Sequence, residues 1–507
     1  VKTAVSRIAG LWVRQRWLWY VCYGAAAFIH AATALLRLDS FFPFPQAVDF
    51  SSYYAAAWHV RLGISPYPWS ADLLRELAAA HGLMTAPPIH NSPPLWAWML
   101  QPITLLSYPA AATLWLFILL GLSGYCHVLL ARQAGYEGWR KIVLTLPVTL
   151  TFGPLFLNLT LGQNGVWLLA GALLLGGALR QNPARAGVPA LVSWVIAVGA
   201  KIYPVLWSLA LLKRWRYFAA AVVLCAAVFG LQALLEPEIN RAYWLDFIPS
   251  QARAFAVQVS VDDQSLPGFL SRVGRSGEYS FPGLDAGDMR TVYWALPWDI
   301  PADFIRYISC LLAGIFGLGL AAASARNKNA NPDGVLYALV LFSLLPFPHT
   351  ARYNHILALP AMAWLWKQGG LYRHLAALAY GLFALSRLNH LWALLPSPLA
   401  PFASGFGLFG VLTLLIGAGD AAAGRRAESR GRLTAPSAAL PQRRQPRQFN
   451  PLQHLQRRAA PGGNVRHPVC QAGLVDRRHR VAAADDGHGA AVCHGLRHAK
   501  CAAGKVG

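Results

Sequence analysis

The chain has 507 residues, of which 56% are hydrophobic and only 13% charged, with 19 Trp, 18 Tyr and 23 Phe. That apolar share exceeds what soluble domains carry, and runs long enough to cross a bilayer, roughly 20 mostly apolar residues, recur from Trp17 to Ala418. The net charge of +23 does not indicate nucleic acid: residues 421–507 hold 16 Lys/Arg against 4 Asp/Glu, and elsewhere most basic residues sit in short loops, where they set membrane orientation.

The N-terminal segment VKTAVSRIAGLWVRQR carries Lys2, Arg7, Arg14 and Arg16, which places it on the cytoplasmic side by the positive-inside rule. A first span near 17–38 has no small-residue cleavage site and reads as a retained helix. It delivers Asp49 to the outer side. Residues 39–93 are too polar to face lipid, and FSSYYAAAWHVRLG and DLLRELAAAHG within them have the periodicity of helices lying on a membrane surface. PPLWAWMLQPITLL is short, either a half-span or an interfacial piece.

Spans follow near 109–130, 142–157 and 165–179, with NLTLGQN outside between the last two and RQNPARAG inside after them. Residues 188–212 then lie between two basic loops, RQNPARAG and KRWR. At 1.5 Å per residue they are too few for two crossings, so the Lys201-Ile202-Tyr203-Pro204 break reads as the tip of a re-entrant hairpin, with Lys201 part-way into the membrane. Further spans are expected near 217–235, 305–325, 334–347, 355–366, 371–386 and up to Gly419. The fold class is therefore an all-α polytopic membrane protein of about ten to twelve membrane segments. Its unusual polar stretches, 39–93, 158–164, 236–304, 348–355 and 387–390, all fall on the outer side.

Beyond Gly419 the composition turns to Arg, Ala, Gly, Pro and His, with Phe449 the sole aromatic. Residues 1–420 thus form the membrane domain, and 421–507 a basic tail expected to be disordered, since it has too little apolar surface to offset the entropy of ordering. The abrupt change reads as a shifted-frame translation without selected function. Cys22, Cys126, Cys225 and Cys310 lie singly in apolar runs and form no disulfide pattern, and His494 and His498 lack the second ligand pair of a zinc signature.

Asp49 precedes FSSYYAAA, where a helix cap is its ordinary role. The polar groups expected on the same side are Gln163 and Asn164, then Asp262, Asp263, Gln264 and Ser265, then His349, Arg352, Tyr353, Asn354 and His355. In chain order, VDFSSYYAAAWHVRLGISPY, NSPPLWAWMLQPITLL, LGQNGVWLLAGALLL, AVGAKIYPVLWSLALLKRWR, DDQSLPGFLSRV and PFPHTARYNHILALPAM resemble glycosyltransferase family 87 across about residues 15–420. The resemblance implies a GT-C-like bundle. It also implies transfer of a hexose, mannose by the family pattern, from a polyprenyl-phosphate donor to a glycolipid or glycan acceptor at the outer face of a bacterial-type plasma membrane, with inversion.

In that scheme Asp49 is the base that takes the acceptor proton. Arg352, His349, His355, Lys201 and Arg272 are candidates for the donor phosphate, Lys201 and the His/Arg groups having interfacial anchoring as their ordinary role. Tyr53, Tyr54, Gln163, Asn164, Gln264 and Ser265 are candidates for sugar hydroxyls. Trp58, Trp96 and Trp98 read as an interfacial aromatic belt. No metal, cofactor or nucleic-acid partner is expected: Asp262 and Asp263 are adjacent and point apart on extended backbone. Two rival readings are a lipid or solute transporter and an inactive membrane subunit. The first is disfavoured because the two halves do not repeat.

Overall fold

The computed structural model describes residues 16–42, 45, 47–67, 75, 78–80, 88–180, 183–250, 261–282, 289–326, 331–347, 350–392, 394–396 and 399–422. All belong to the first of two units, Val1–Ala435; the expectations for the tail beyond Ala422 lie outside the described residues. The unit is a helical bundle, and among the described residues three stretches are long and apolar enough to cross a membrane: Tyr108–Gln133, Tyr203–Leu235 and Ala302–Ala322. A fourth is added if Trp139–Thr151 and Gly153–Leu161, bent by 68°, form one span. That bend falls where the sequence reading has a single span near 142–157. Pro147 lies inside the first half and Pro154 opens the second, and proline removes backbone donors and crowds the preceding turn. The protein is an all-α polytopic membrane protein, with one small sheet, the hairpin β1 (Gly277–Pro282) and β2 (Met289–Trp294), in the segment expected to be a long polar loop.

The helices that position the site are α1 (Arg16–Leu35), α2 (Val48–Arg61), α3 (Pro94–Leu100), α4 (Tyr108–Gln133), α5 (Trp139–Thr151), α6 (Gly153–Leu161), α7 (Gly165–Arg180) and α8 (Pro183–Ala200). A 3-10 helix, Tyr203–Arg214, then leads into α9 (Trp215–Leu235). The hairpin reading of residues 188–212 is overturned by this stretch. Asn164, at the start of α7, donates to the Ala200 carbonyl at the end of α8 (3.1 Å), and Arg214 donates to Ala178 and Leu179 (3.1 and 2.8 Å) at the end of α7. The 3-10 helix therefore runs the length of its neighbours. The physical reason is its rise: 18 α-helical residues cover roughly 27 Å and 12 residues of 3-10 helix roughly 24 Å. Lys201 follows the last residue of α8, Ala200, to whose carbonyl Asn164 donates.

Trp96, expected in an interfacial belt, is instead interior. It packs edge-on against Tyr53 and Trp115 (6.0 Å each) in the main apolar core, where Phe50 also stacks on Trp115 at 5.2 Å. These rings fasten α2 to α3 and α4, so the acidic first turn of α2 is mounted on the core.

The polar segments meet at one end of the bundle. Gln163 reaches Asp49, Asn158 donates to the Tyr353 carbonyl (2.7 Å), Arg352 pairs with Asp262 and donates to Ser386 (3.3 Å), and Arg387 reaches Thr33. The opposite end is tied by Arg180 to Asp333 (3.0 Å) and Tyr337 to Gln133 (2.7 Å).

Candidate functional site

α2 begins after Ala47, whose backbone is left-handed (φ 40°) and supplies no side-chain cap. Asp49 is the second residue of the first turn, so it does not cap the helix as its sequence position would have it. Its charge still favours the positive end of the helix dipole. The carboxylate goes instead to a neighbour: Gln163 Nε2 donates to Asp49 Oδ2 at 2.6 Å, and the Tyr53 hydroxyl, one turn further along α2, donates to Gln163 Oε1 at 2.7 Å. One amide thus fixes two side chains of α2. Gly162 makes the approach possible. It ends α6 at φ 69°, and a Cβ there would stand 2.6 Å from that of Phe50, so only glycine lets the LGQN turn press against α2.

Burial pushes the Asp49 carboxyl up to about 6, reinforced by Asp262 and opposed by the Gln163 hydrogen bond and by Lys201. Asp49 keeps some solvent access. Burial lowers the Lys201 ammonium to about 8, with Asp49 acting against that shift, and the ammonium lies 5.9 Å from the centre of the Tyr353 ring. The site therefore pairs an acid raised toward neutrality with a lysine lowered toward it, the separation of roles expected where protons move at pH 7.

Lys201 also lines a cavity of about 580 Å³, together with Tyr203, Tyr243, Phe247, Phe347 and Asn354. α10 (Ala302–Arg326) also lines it, contributing Ser309 and Arg306. Aromatic walls with two cations among them, Lys201 and Arg306, suit an amphiphile whose polar group is anionic.

The remaining candidates have other places. DDQSL is bonded to the chain around Leu345 and Thr350, with Leu266 N–H on the Leu345 carbonyl (2.9 Å), Gln264 N–H on the Thr350 carbonyl (2.8 Å) and an antiparallel bridge between Asp263 and Ala351. Asp262, in a turn, and Asp263, in an isolated bridge, have different partners: the first pairs with Arg352, and the second accepts from Ser265 N–H (2.9 Å). Ser265 caps the helix Leu266–Gly274 by accepting from Gly268 N–H (3.1 Å). Gln264 donates to Val261 and Ser404, and Asn164 to Ala200, so both brace the backbone. Arg272 is fully buried and donates to Ser404 (2.9 Å) and the Asp263 carbonyl; it holds the loop together and lines no part of the cavity. His355 is buried against Phe383, and Tyr54 donates to Leu106 (2.9 Å), away from Asp49. His349 lies outside the described residues.

The structure brings Gln163 and Tyr53 to Asp49 through hydrogen bonds, with Lys201 and Asp262 acting on its charge. Arg37, which the sequence reading has at the end of the first span, and Arg387, which it has in an outer loop, both act on the charge of Arg352 or are acted on by it. Nothing in their local sequence marks them, because each comes from a different chain end of the bundle. Among the described residues no group of three His, Cys, Asp or Glu could hold a metal ion.

No curated protein and no solved structure matches the chain. Residues 92–348, just over half of it, match the model of glycosyltransferase family 87. That stretch contains Gln163, Lys201, Asp262 and the cavity's main walls, while Asp49 precedes it. An all-helical polytopic fold and this match agree with each other: the chain belongs to glycosyltransferase family 87 and is a membrane glycosyltransferase.

Proposed function

We propose that the enzyme transfers a hexose, mannose by family resemblance, from a polyprenyl phosphate to an acceptor hydroxyl at the outer face of the plasma membrane, with inversion at the anomeric carbon. The observation that carries this reading is that Lys201, which lines an aromatic cavity, and the Asp49 carboxylate lie close enough for each to shift the other's charge. The isoprenoid chain lies in the cavity and its phosphate faces Lys201. Asp49 accepts the proton of the acceptor hydroxyl as that oxygen bonds to the anomeric carbon. The bond from that carbon to the phosphate oxygen breaks, and its electron pair leaves with the phosphate. A singly charged phosphodiester thereby becomes a doubly charged phosphomonoester. Lys201 stabilises the charge that develops, which is where an electrostatic contribution accelerates a reaction. Tyr53 and Gln163 hold the base in place and offer sugar hydroxyls a donor and an acceptor.

The test is transfer of labelled hexose from a polyprenyl-phosphate sugar to lipid extract by the purified full chain. Wild type is expected to transfer, and Asp49→Asn to lose about 10²- to 10⁴-fold, the range for removal of a general base. Undiminished transfer by Asp49→Asn would remove Asp49 from the mechanism. Saturable transport without transfer would remove the donor assignment.

A further inference from the structure

At the end of the bundle opposite Asp49, five helices leave a cavity of about 310 Å³, open on one side, that shares no residue with the Lys201 cavity. Tyr23 of α1, Leu130 of α4 and Val148 of α5 line it, with Met362 and Trp366 of the helix Leu359–Gln368 and Tyr380 of the helix Gly370–Leu385. Its interior is apolar, and Tyr23 stacks on Tyr380 at 5.3 Å. His127 also lines it, but both ring nitrogens are engaged, with Thr149 Oγ1 at 2.9 Å and the Ile142 carbonyl at 2.8 Å. That imidazole has nothing left to offer a polar guest. Packed interiors leave few gaps larger than a water molecule, so an open apolar void of this size between membrane helices takes up hydrocarbon.

The rim of the cavity, where Trp366 and Tyr136 are half-buried, is basic. Arg373 holds its guanidinium over the Trp366 ring, 5.1 Å from the centroid. The Lys367 stem lies over the turn after α4: a Cβ at Gly135 would stand 3.7 Å from its Cγ, and Ala134 and Tyr136, on either side of that glycine, both line the cavity. Among the described residues neither cation has an ion pair. The acids at this end are placed otherwise. Asp333, on which Lys367 acts, pairs with Arg180 at 3.0 Å, and Asp420 accepts from the Tyr372 hydroxyl at 2.8 Å. Glu137 is exposed, with Arg132, Arg140 and Lys141 close to it in the chain. Basic side chains around an apolar opening between membrane helices match the phosphate of an anionic lipid, and a guanidinium stacked on an indole is already oriented for it. The cavity has little over half the volume of the Lys201 cavity, about 580 Å³, which suits one unbranched chain.

We propose that this cavity binds an anionic phospholipid of the leaflet opposite Asp49, its phosphate on Lys367 and Arg373 and one acyl chain between Tyr23 and Met362. Bound there, the lipid joins α1 to the helices Leu359–Gln368 and Gly370–Leu385 across the void.

The test is native mass spectrometry of the full chain from micelles doped with phosphatidylglycerol, phosphatidylcholine or polyprenyl phosphate. Wild type is expected to retain phosphatidylglycerol about tenfold over phosphatidylcholine, a preference within what two basic residues supply at a membrane surface. Lys367→Gln with Arg373→Gln is expected to abolish that preference, and Arg373→Lys to keep most of it. Ala377→Phe, which fills the cavity, is expected to lose phosphatidylglycerol with both cations in place. Arg216 supplies the control: it stacks on Trp215 at 5.6 Å in the same way, but Trp215 lines neither cavity, so Arg216→Gln is expected to leave the preference intact. Equal retention of the two phospholipids by wild type overturns the proposal. So does an equal loss of preference in Arg216→Gln and Arg373→Gln, which would assign the effect to general surface charge. Unchanged retention by Ala377→Phe overturns the cavity as the chain's place, and displacement of phosphatidylglycerol by equimolar polyprenyl phosphate overturns the phospholipid. Binding needs no turnover, so a negative result here leaves the transfer assay standing, and the reverse holds as well.

Discussion

Asp49 and Lys201 have opposed requirements, and each predicts one limb of a pH profile. The base must be ionised, so transfer is expected to rise as pH passes about 6; the ammonium must be protonated, so transfer is expected to fall above about 8. A bell-shaped rate profile between these limits checks both, and a profile flat from pH 5 to 9 would refute them. The same carboxylate costs stability. Its folded pKa is raised from 3.8, so the folded state binds more protons than the unfolded state between about 4 and 6, and stability falls as pH rises through that window. Asp49→Asn is therefore expected to gain about 1 kcal/mol at pH 7 after allowance for solvent access, while losing activity. Thermal midpoints at pH 5 and pH 7.5 test the sign: the gain should be larger at the higher pH.

The element that places the base is the turn between α6 and α7. At Gly162 an added methyl meets both a left-handed backbone and the Phe50 side chain 2.6 Å away. Gly162→Ala is expected to cost about 1–2 kcal/mol from backbone alone. It is also expected to cut transfer at least tenfold, by moving Gln163 away from Asp49; near-normal activity would show that the Gln163 bridge does not position the base. The 3-10 helix matters in a similar way. Had Tyr203–Arg214 been α-helical, its 12 residues would rise only about 18 Å, too short to reach from the Lys201 end of α7 to Ala178 and Leu179, to which Arg214 donates.

On the scale of the whole molecule, the last described helix, Phe406–Ala422, packs against Gly370–Leu385 and Pro332–Phe342, and Ala422 lies 2.8 Å from where a Cβ at Gly334 would stand. A chain ended after Gly424 is expected to keep transfer within about twofold of the full chain, whereas one ended before Phe406 is expected to lose it. Loss of transfer in the first would give the tail a role. Orientation has its own check. With native cysteines replaced by Ser, Asp39→Cys is expected to react with an impermeant maleimide applied to intact cells, and Glu137→Cys is not. The opposite pattern would put the site on the cytoplasmic face.

Much of this was legible in the amino-acid order. Hydropathy alone determines a polytopic helical bundle, because each span must satisfy its backbone internally and present apolar side chains to lipid. Basic loops and motif order gathered DFSSYY, LGQN, DDQSL and the Arg352 segment onto one end, as the structure has them. The sequence could not give the rise per residue of Tyr203–Arg214, because no local signal separates a long 3-10 helix from an α-helix, and with it went the course of residues 188–212. Nor could it separate Gln264, Ser265 and Arg272, which brace a loop, from Gln163, which holds a carboxylate, since all are polar residues in outer segments. The gathering of Arg37, Arg352 and Arg387 was decided only in three dimensions, by helices whose far ends in sequence are neighbours in the bundle.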